Sequence, residues 1–135
     1  MPKNGEVAYL DTSAIVKLVM VEAETVALRR WLRRWPRRAS SALLRVELPR
    51  AAKRAGQPRL VEASRQYLES LHLIRLDDSL LDRAAELDPP SLRTLDAIHL
   101  GAARSLGAEL GMLVTYDARM LAAAQALGLP AAAPV

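Results

Sequence analysis

Four carboxylates stand where a chain of this kind could do chemistry: Asp11, Glu47, Asp96 and Asp117. Asp11 closes the apolar run Val7-Ala8-Tyr9-Leu10, and Asp117 closes Met112-Leu113-Val114-Thr115-Tyr116. Glu47 lies in a largely apolar helical segment. Asp96 lies in the first turn of another, where Leu95, Ile98, Ala102 and Leu106 recur at helical spacing behind Thr94 as the expected N-cap. Each acid also has an ordinary use, since an Asp at a helix start complements the macrodipole. Their combination is less ordinary, because an open parallel sheet gathers such positions at the carboxyl ends of its strands. Two like charges 4 Å apart repel by roughly 4 kcal/mol at an effective dielectric near 20. Several such terms rival the stability of a small domain, so gathered acids call for protons or a cation. With oxygen ligands only and no cysteine, the expected cation is Mg²⁺, or Mn²⁺ in its place. Such a site takes up phosphate oxygens and hydrolyses phosphodiesters by in-line displacement.

Other chemistries find less support. A phosphoaspartyl pattern wants a second Asp two residues after the first, where Ser13 stands. No P-loop and no glycine-rich dinucleotide fingerprint follows the first strand, and no Ser/His/Asp set is visible. His99, one turn beyond Asp96, and His72, in a strand, read as hydrogen-bonded structural residues. Asp77, Asp78 and Asp82 sit near a helix start, where capping accounts for the first two.

The elements that must position the four acids alternate between strands and helices. A strand at 7–10 leads into a short helix capped by Thr12 or Ser13, then a helix from Glu22 to Trp35 ended by Pro36. Its apolar positions are Val26, Leu28, Trp31, Leu32 and Trp35. Arg37 to Ser41 is a second strand, and Ser40 or Ser41 caps a helix that Gly56 stops and Pro49 should kink. Pro58 opens a helix to Ser70. A strand over 71–76, a helix from Asp77-Asp78 to Leu87 and the rigid Asp88-Pro89-Pro90-Ser91 loop precede the Asp96 helix. The strand at 112–116, a helix over 118–127 and an apolar tail able to add an edge strand complete the chain. This pattern predicts one α/β domain over residues 1–135, a three-layer sandwich with a mainly parallel sheet of four to five strands.

Composition agrees with a folded domain. The 135 residues are 51% hydrophobic, without an apolar run of membrane-spanning length, and Met1 to Glu6 carry no signal-peptide core, so a cytoplasmic protein without membrane contact is expected. Between Arg29 and Arg59 there are eleven Lys or Arg residues and one acid, whereas elsewhere acids outnumber bases. That asymmetry points to an anionic partner, with nucleic acid first among candidates.

The segments Tyr9-Leu10-Asp11-Thr12-Ser13-Ala14, Arg45-Val46-Glu47-Leu48, Leu95-Asp96-Ala97-Ile98-His99-Leu100-Gly101-Ala102-Ala103 and Leu113-Val114-Thr115-Tyr116-Asp117 resemble the ordered motifs of PIN domains. They are most similar to the VapC-type toxins of bacterial toxin–antitoxin pairs. The resemblance implies a metal-dependent endoribonuclease, with Asp11, Glu47, Asp96 and Asp117 as catalytic and metal-binding acids. It places Thr12, Ser13 and Thr115 as supporting hydroxyls, and it implies a homodimer and a small antitoxin partner. Arg38, Arg45, Arg93 and Arg119 are the expected contacts to RNA phosphates. Two alternatives stay open: a housekeeping PIN nuclease without an antitoxin, and a non-catalytic RNA-binding module.

Overall fold

Strand β1 (Val7–Leu10) sets the plan of the molecule. All four of its residues are buried. Val7 and Tyr9 enter one core, and Ala8 and Leu10 enter the other. This is the period-2 alternation of a strand covered on both faces. The computed structural model describes residues 5–135; residues 1–4, part of the stretch expected to lack a signal core, lie outside the described region.

After β1 come α1 (Thr12–Val19), α2 (Thr25–Leu32), β2 (Arg37–Ser41), α3 (Leu44–Arg54), α4 (Pro58–Glu69) and β3 (His72–Ile74). The second half holds α5 (Asp78–Ala85), α6 (Thr94–Ser105), β4 (Leu110–Val114), α7 (Ala118–Ala126) and β5 (Ala131–Ala132). Among the described residues five strands form one sheet in the order β3-β2-β1-β4-β5, and each of these pairings is parallel. Helices α1 to α4 pack on the Leu10 face through Ile15, Leu28, Leu44, Leu48 and Leu68. Helices α5 to α7 pack on the Tyr9 face through Leu80, Leu100, Met120 and Ala124. Each fully buried leucine or isoleucine contributes about 1.5–3 kcal/mol relative to exposure. The expected three-layer α/β sandwich is therefore present. Among the described residues no helix is long and apolar enough to cross a membrane.

The strand order reverses direction at β1, with β2 on one side and β4 on the other. In an open α/β sheet the crevice for a ligand lies at such a switch point, beyond the carboxyl ends of the strands. Asp11 follows β1 directly, and Asp117 follows β4 by three residues.

Several local expectations shift. Helix α1 is capped by Asp11 itself, whose carboxylate accepts from the Ala14 amide, and not by Thr12 or Ser13. Helix α2 is shorter than 22–35. Glu22 and Glu24 instead hold Lys17 at 3.1 and 2.8 Å. At its other end the Arg38 guanidinium donates to the Leu32 and Trp35 carbonyls. Val26, assigned to its apolar face, is exposed. Leu43 takes the cap position of α3, while the Ser41 hydroxyl accepts from the Leu43 amide and braces the turn. Helix α3 continues through Pro49 to Arg54, so the missing amide removes one bond without ending the element. Arg93 takes the cap position of α6 and Thr94 is its first residue. That helix buries His99 to Ala103 and leaves Leu95 47% exposed. Its small residues allow close approach, and a Cβ on Gly101 would lie 3.2 Å from that of Ala84 in α5.

Candidate active site

Asp11 is 4% exposed, and both oxygens of its carboxylate accept hydrogen bonds. One oxygen accepts from the Ser13 hydroxyl at 2.6 Å and the Ala14 amide at 3.0 Å; the other accepts from the Thr115 hydroxyl at 2.6 Å. Ser13 accepts in turn from the Tyr116 amide, and Thr115 from the Asp117 amide. The two hydroxyls thus tie the end of β1 to the turn after β4. Burial pushes the Asp11 carboxyl above its ordinary range despite these hydrogen bonds. Of the three hydroxyls read from sequence as supporting groups, Ser13 and Thr115 donate to Asp11 and Thr12 donates to Glu47.

Asp117 caps α7, accepting from the Arg119 and Met120 amides. Asp96 stands half-buried in the first turn of α6. Burial first, and then the charges of Asp117 and Asp11, push its carboxyl upward. Three of the four acids therefore share one electrostatic field at the switch point.

Glu47 belongs to a second, adjoining network. It accepts from Thr12 at 2.6 Å and lies 2.8 Å from Nε2 of His99, whose Nδ1 is 2.7 Å from the Tyr9 hydroxyl. The consistent proton arrangement has Tyr9 donating to Nδ1 and Nε2–H donating to Glu47. Burial acts to raise the Glu47 carboxyl, but the hydrogen bonds from His99 and Thr12 outweigh it and hold it below the usual range. His99 is 2% exposed. Its two ring nitrogens are both hydrogen-bonded, as expected from sequence. Its partner is one of the four acids, a role signalled in sequence only by its place one helical turn after Asp96.

The four proposed arginines divide. Arg93 and Arg119 line a groove of about 720 Å³ that reaches Asp96. Arg38 is committed to the end of α2, and Arg45 lines a separate hollow with Arg65 and Glu69.

Among the described residues no three Asp, Glu or His side chains form a ready-made metal cage. Magnesium is ordinarily held by one or two carboxylates, its own waters and substrate phosphate. The all-oxygen donors at Asp11, Asp96 and Asp117, and the repulsion raising Asp96, suit such a hard cation.

Comparison with known proteins places these observations in a family. The model of the PIN domain matches residues 8–126. Ribonuclease VapC46 of Mycobacterium tuberculosis is 52% identical over 126 residues, covering 93% of this chain and 96% of that protein. A toxin–antitoxin complex from Klebsiella pneumoniae contains a similar fold, with TM-score 0.70 and 22% identity over 95% of this chain and 98% of that one. VapBC2 from Rickettsia felis, bound to a DNA fragment from its promoter, is similar at TM-score 0.67 and 15% identity, covering 94% and 98%.

Proposed function

The chain belongs to the PIN-domain family, and from that premise we propose that it is a divalent-metal-dependent endoribonuclease, the toxin of a VapC-type toxin–antitoxin pair. The observation that carries the proposal is the placement of Asp11 and Asp117 just beyond the carboxyl ends of β1 and β4, at the sheet's switch point, in a chain 52% identical to a protein named a ribonuclease. Asp11 and Asp96 are the principal ligands for Mg²⁺, or for Mn²⁺ in its place, and Asp117 completes the cluster. The bound cation would supply the polarisation of an attacking water and the stabilisation of the departing oxygen.

The remaining steps belong to the chain itself. Ser13, Thr115 and the Ala14 amide fix both oxygens of Asp11, so its orientation does not change when substrate arrives. Glu47, steadied by Thr12 and His99, orients water or adds a ligand. Arg93 and Arg119 pair with backbone phosphates beside the scissile bond, holding RNA without reading its sequence. A small antitoxin covers the acidic crevice, the toxin pairs as a homodimer, and the pair works in the cytoplasm. Support for an antitoxin comes from the fold shared with the two toxin–antitoxin structures.

Incubation of the purified protein with end-labelled cellular RNA tests this directly. Discrete fragments should form in Mg²⁺, vanish in EDTA and return on adding excess Mn²⁺. Fragmentation that ignores EDTA would contradict a metal-dependent site.

A further inference from the structure

The groove beside the carboxylates shares a wall with them but is built differently. Asp96 stands at it, Arg93 and Arg119 line it from exposed positions, and Leu92, Ala126 and Leu127 give it an apolar surface. Its volume of about 720 Å³ falls within the roughly 300–1,000 Å³ of sites that enclose a drug-sized molecule, the size class of a nucleotide. A bare phosphate would gain little from this apolar lining. A flat heteroaromatic ring attached to a phosphate would use both parts, the ring against the apolar wall and the phosphate against the guanidinium groups.

We propose that this groove is a subsite for one unpaired nucleobase flanking the scissile phosphate, an inference that rests on the ribonuclease function proposed above. Continuity with Asp96 places its occupant next to the reacting bond, and Arg93 and Arg119 offer donors to a backbone phosphate in a lining whose overall charge Asp88 and Asp96 balance. A base inside a duplex is stacked and paired, so the occupant must be single-stranded. Among the described residues no aromatic lines the groove, so the ring rests on aliphatic surface while the guanidinium groups take the phosphate. Ala122 and Ala126, one turn apart on α7, keep that wall low enough to admit it.

The test uses the full chain, a cleavable RNA oligonucleotide in Mg²⁺, and the same RNA made abasic on one or the other side of the cut. Wild type should cleave one of the two abasic RNAs about tenfold more slowly than the intact RNA, as expected for loss of a stacked base. Ala126→Phe, which fills the groove from an exposed position, should slow intact RNA to a similar degree and show no further loss on the abasic one. Ala122→Phe serves the same purpose if the first variant melts early. Equal cleavage of intact and abasic RNA by wild type overturns the proposal, as do filled variants with wild-type rate and sequence preference. Filled variants that change only the sedimentation of the protein overturn it in favour of a contact between copies. Absence of any RNA cleavage by wild type would instead remove the ribonuclease function beneath it.

Discussion

Neutralising Asp96 should act in opposite directions on the metal-free and the metal-bound protein. Its carboxyl is raised by burial and by Asp117 and Asp11, and that of Asp11 is raised by burial, each from an ordinary value of 3.8. Between that value and the raised one, the native protein holds more protons than the unfolded chain. Stability from these two groups therefore falls as pH rises through the window. In EDTA, Asp96→Asn should melt above wild type, by a margin that widens from about pH 4 towards neutrality. In millimolar Mn²⁺ the order should reverse, because ligand binding to the native state stabilises only the protein that retains its ligands. Thermal scans of both proteins with and without metal decide the point. A variant that gains as much from Mn²⁺ as wild type would remove Asp96 from the metal site.

Glu47 carries the opposite sign. Held below its ordinary value of 4.5, it stabilises the fold above that pH and loses the contribution as pH falls through its lowered value. Much of this depends on His99, which bridges Tyr9 and Glu47. His99→Ala leaves one buried partner, Tyr9, and one part-buried partner, Glu47, without their hydrogen bonds, at a cost of about 1–3 kcal/mol. Tyr9→Phe removes one hydroxyl from a bond of 2.7 Å and should cost about 1 kcal/mol. Both values follow from denaturant titration. Equal stability of all three proteins would mean that this buried network contributes nothing. The acids themselves were legible in sequence because each ends a strand or lies in a helix of clear periodicity. His99 was harder to place, since its partners lie 52 and 90 residues away and only the fold joins them.

Helix α3 shows where local rules compete. Pro49 cannot donate to the Arg45 carbonyl, yet the helix runs on to Arg54 with Leu48 and Ala52 fully buried. Tertiary packing outweighs the local penalty. Pro49→Ala restores the amide and should stabilise the protein by about 1–3 kcal/mol. Cleavage should stay close to wild type, because Glu47 precedes the proline and is held by Thr12 and His99. A loss of activity in this variant would show that the proline sets the position of Glu47. The caps at Asp11 and Arg93, each a residue earlier than expected, have a related cause. A cap is decided by backbone angles, and Asp11 meets the Ala14 amide in the extended conformation that a cap needs. Leu95 falls outside the buried face of α6 because periodicity ranks leucine above glycine and alanine. Close packing against α5 favours the small residues instead.

At the scale of the whole molecule, charge is separated across the sheet. Asp11 and Asp117 lie beyond the carboxyl ends of β1 and β4, while Arg33, Arg34 and Arg37 are exposed where β2 begins, at the opposite edge. Trp31 and Trp35 stack at 5.2 Å, and a Cβ on Gly111 would come within 2.3 Å of the Trp35 ring, so these aromatics fasten the basic turn to the sheet. The basic window was plain in sequence; the placing of its Arg33, Arg34 and Arg37 at the edge opposite Asp11 and Asp117 was not, because the shared direction of the parallel strands determines it. If long RNA wraps from one edge to the other, Arg33→Ser with Arg34→Ser should raise KM several-fold for long RNA and leave kcat on a short oligonucleotide unchanged. The salt slope of binding should fall by roughly 0.7 for each phosphate that the variant no longer neutralises. An unchanged slope would separate this surface from RNA altogether.

In the proposed function, a cation held by these carboxylates drives RNA cleavage. This is tested most directly by comparing wild type and Asp96→Asn on one labelled RNA in Mg²⁺, with circular dichroism confirming that both are folded. Loss of a principal metal ligand should lower the cleavage rate by about 100-fold or more. Cleavage by folded Asp96→Asn at the wild-type rate would mean that Asp96 holds no catalytic metal.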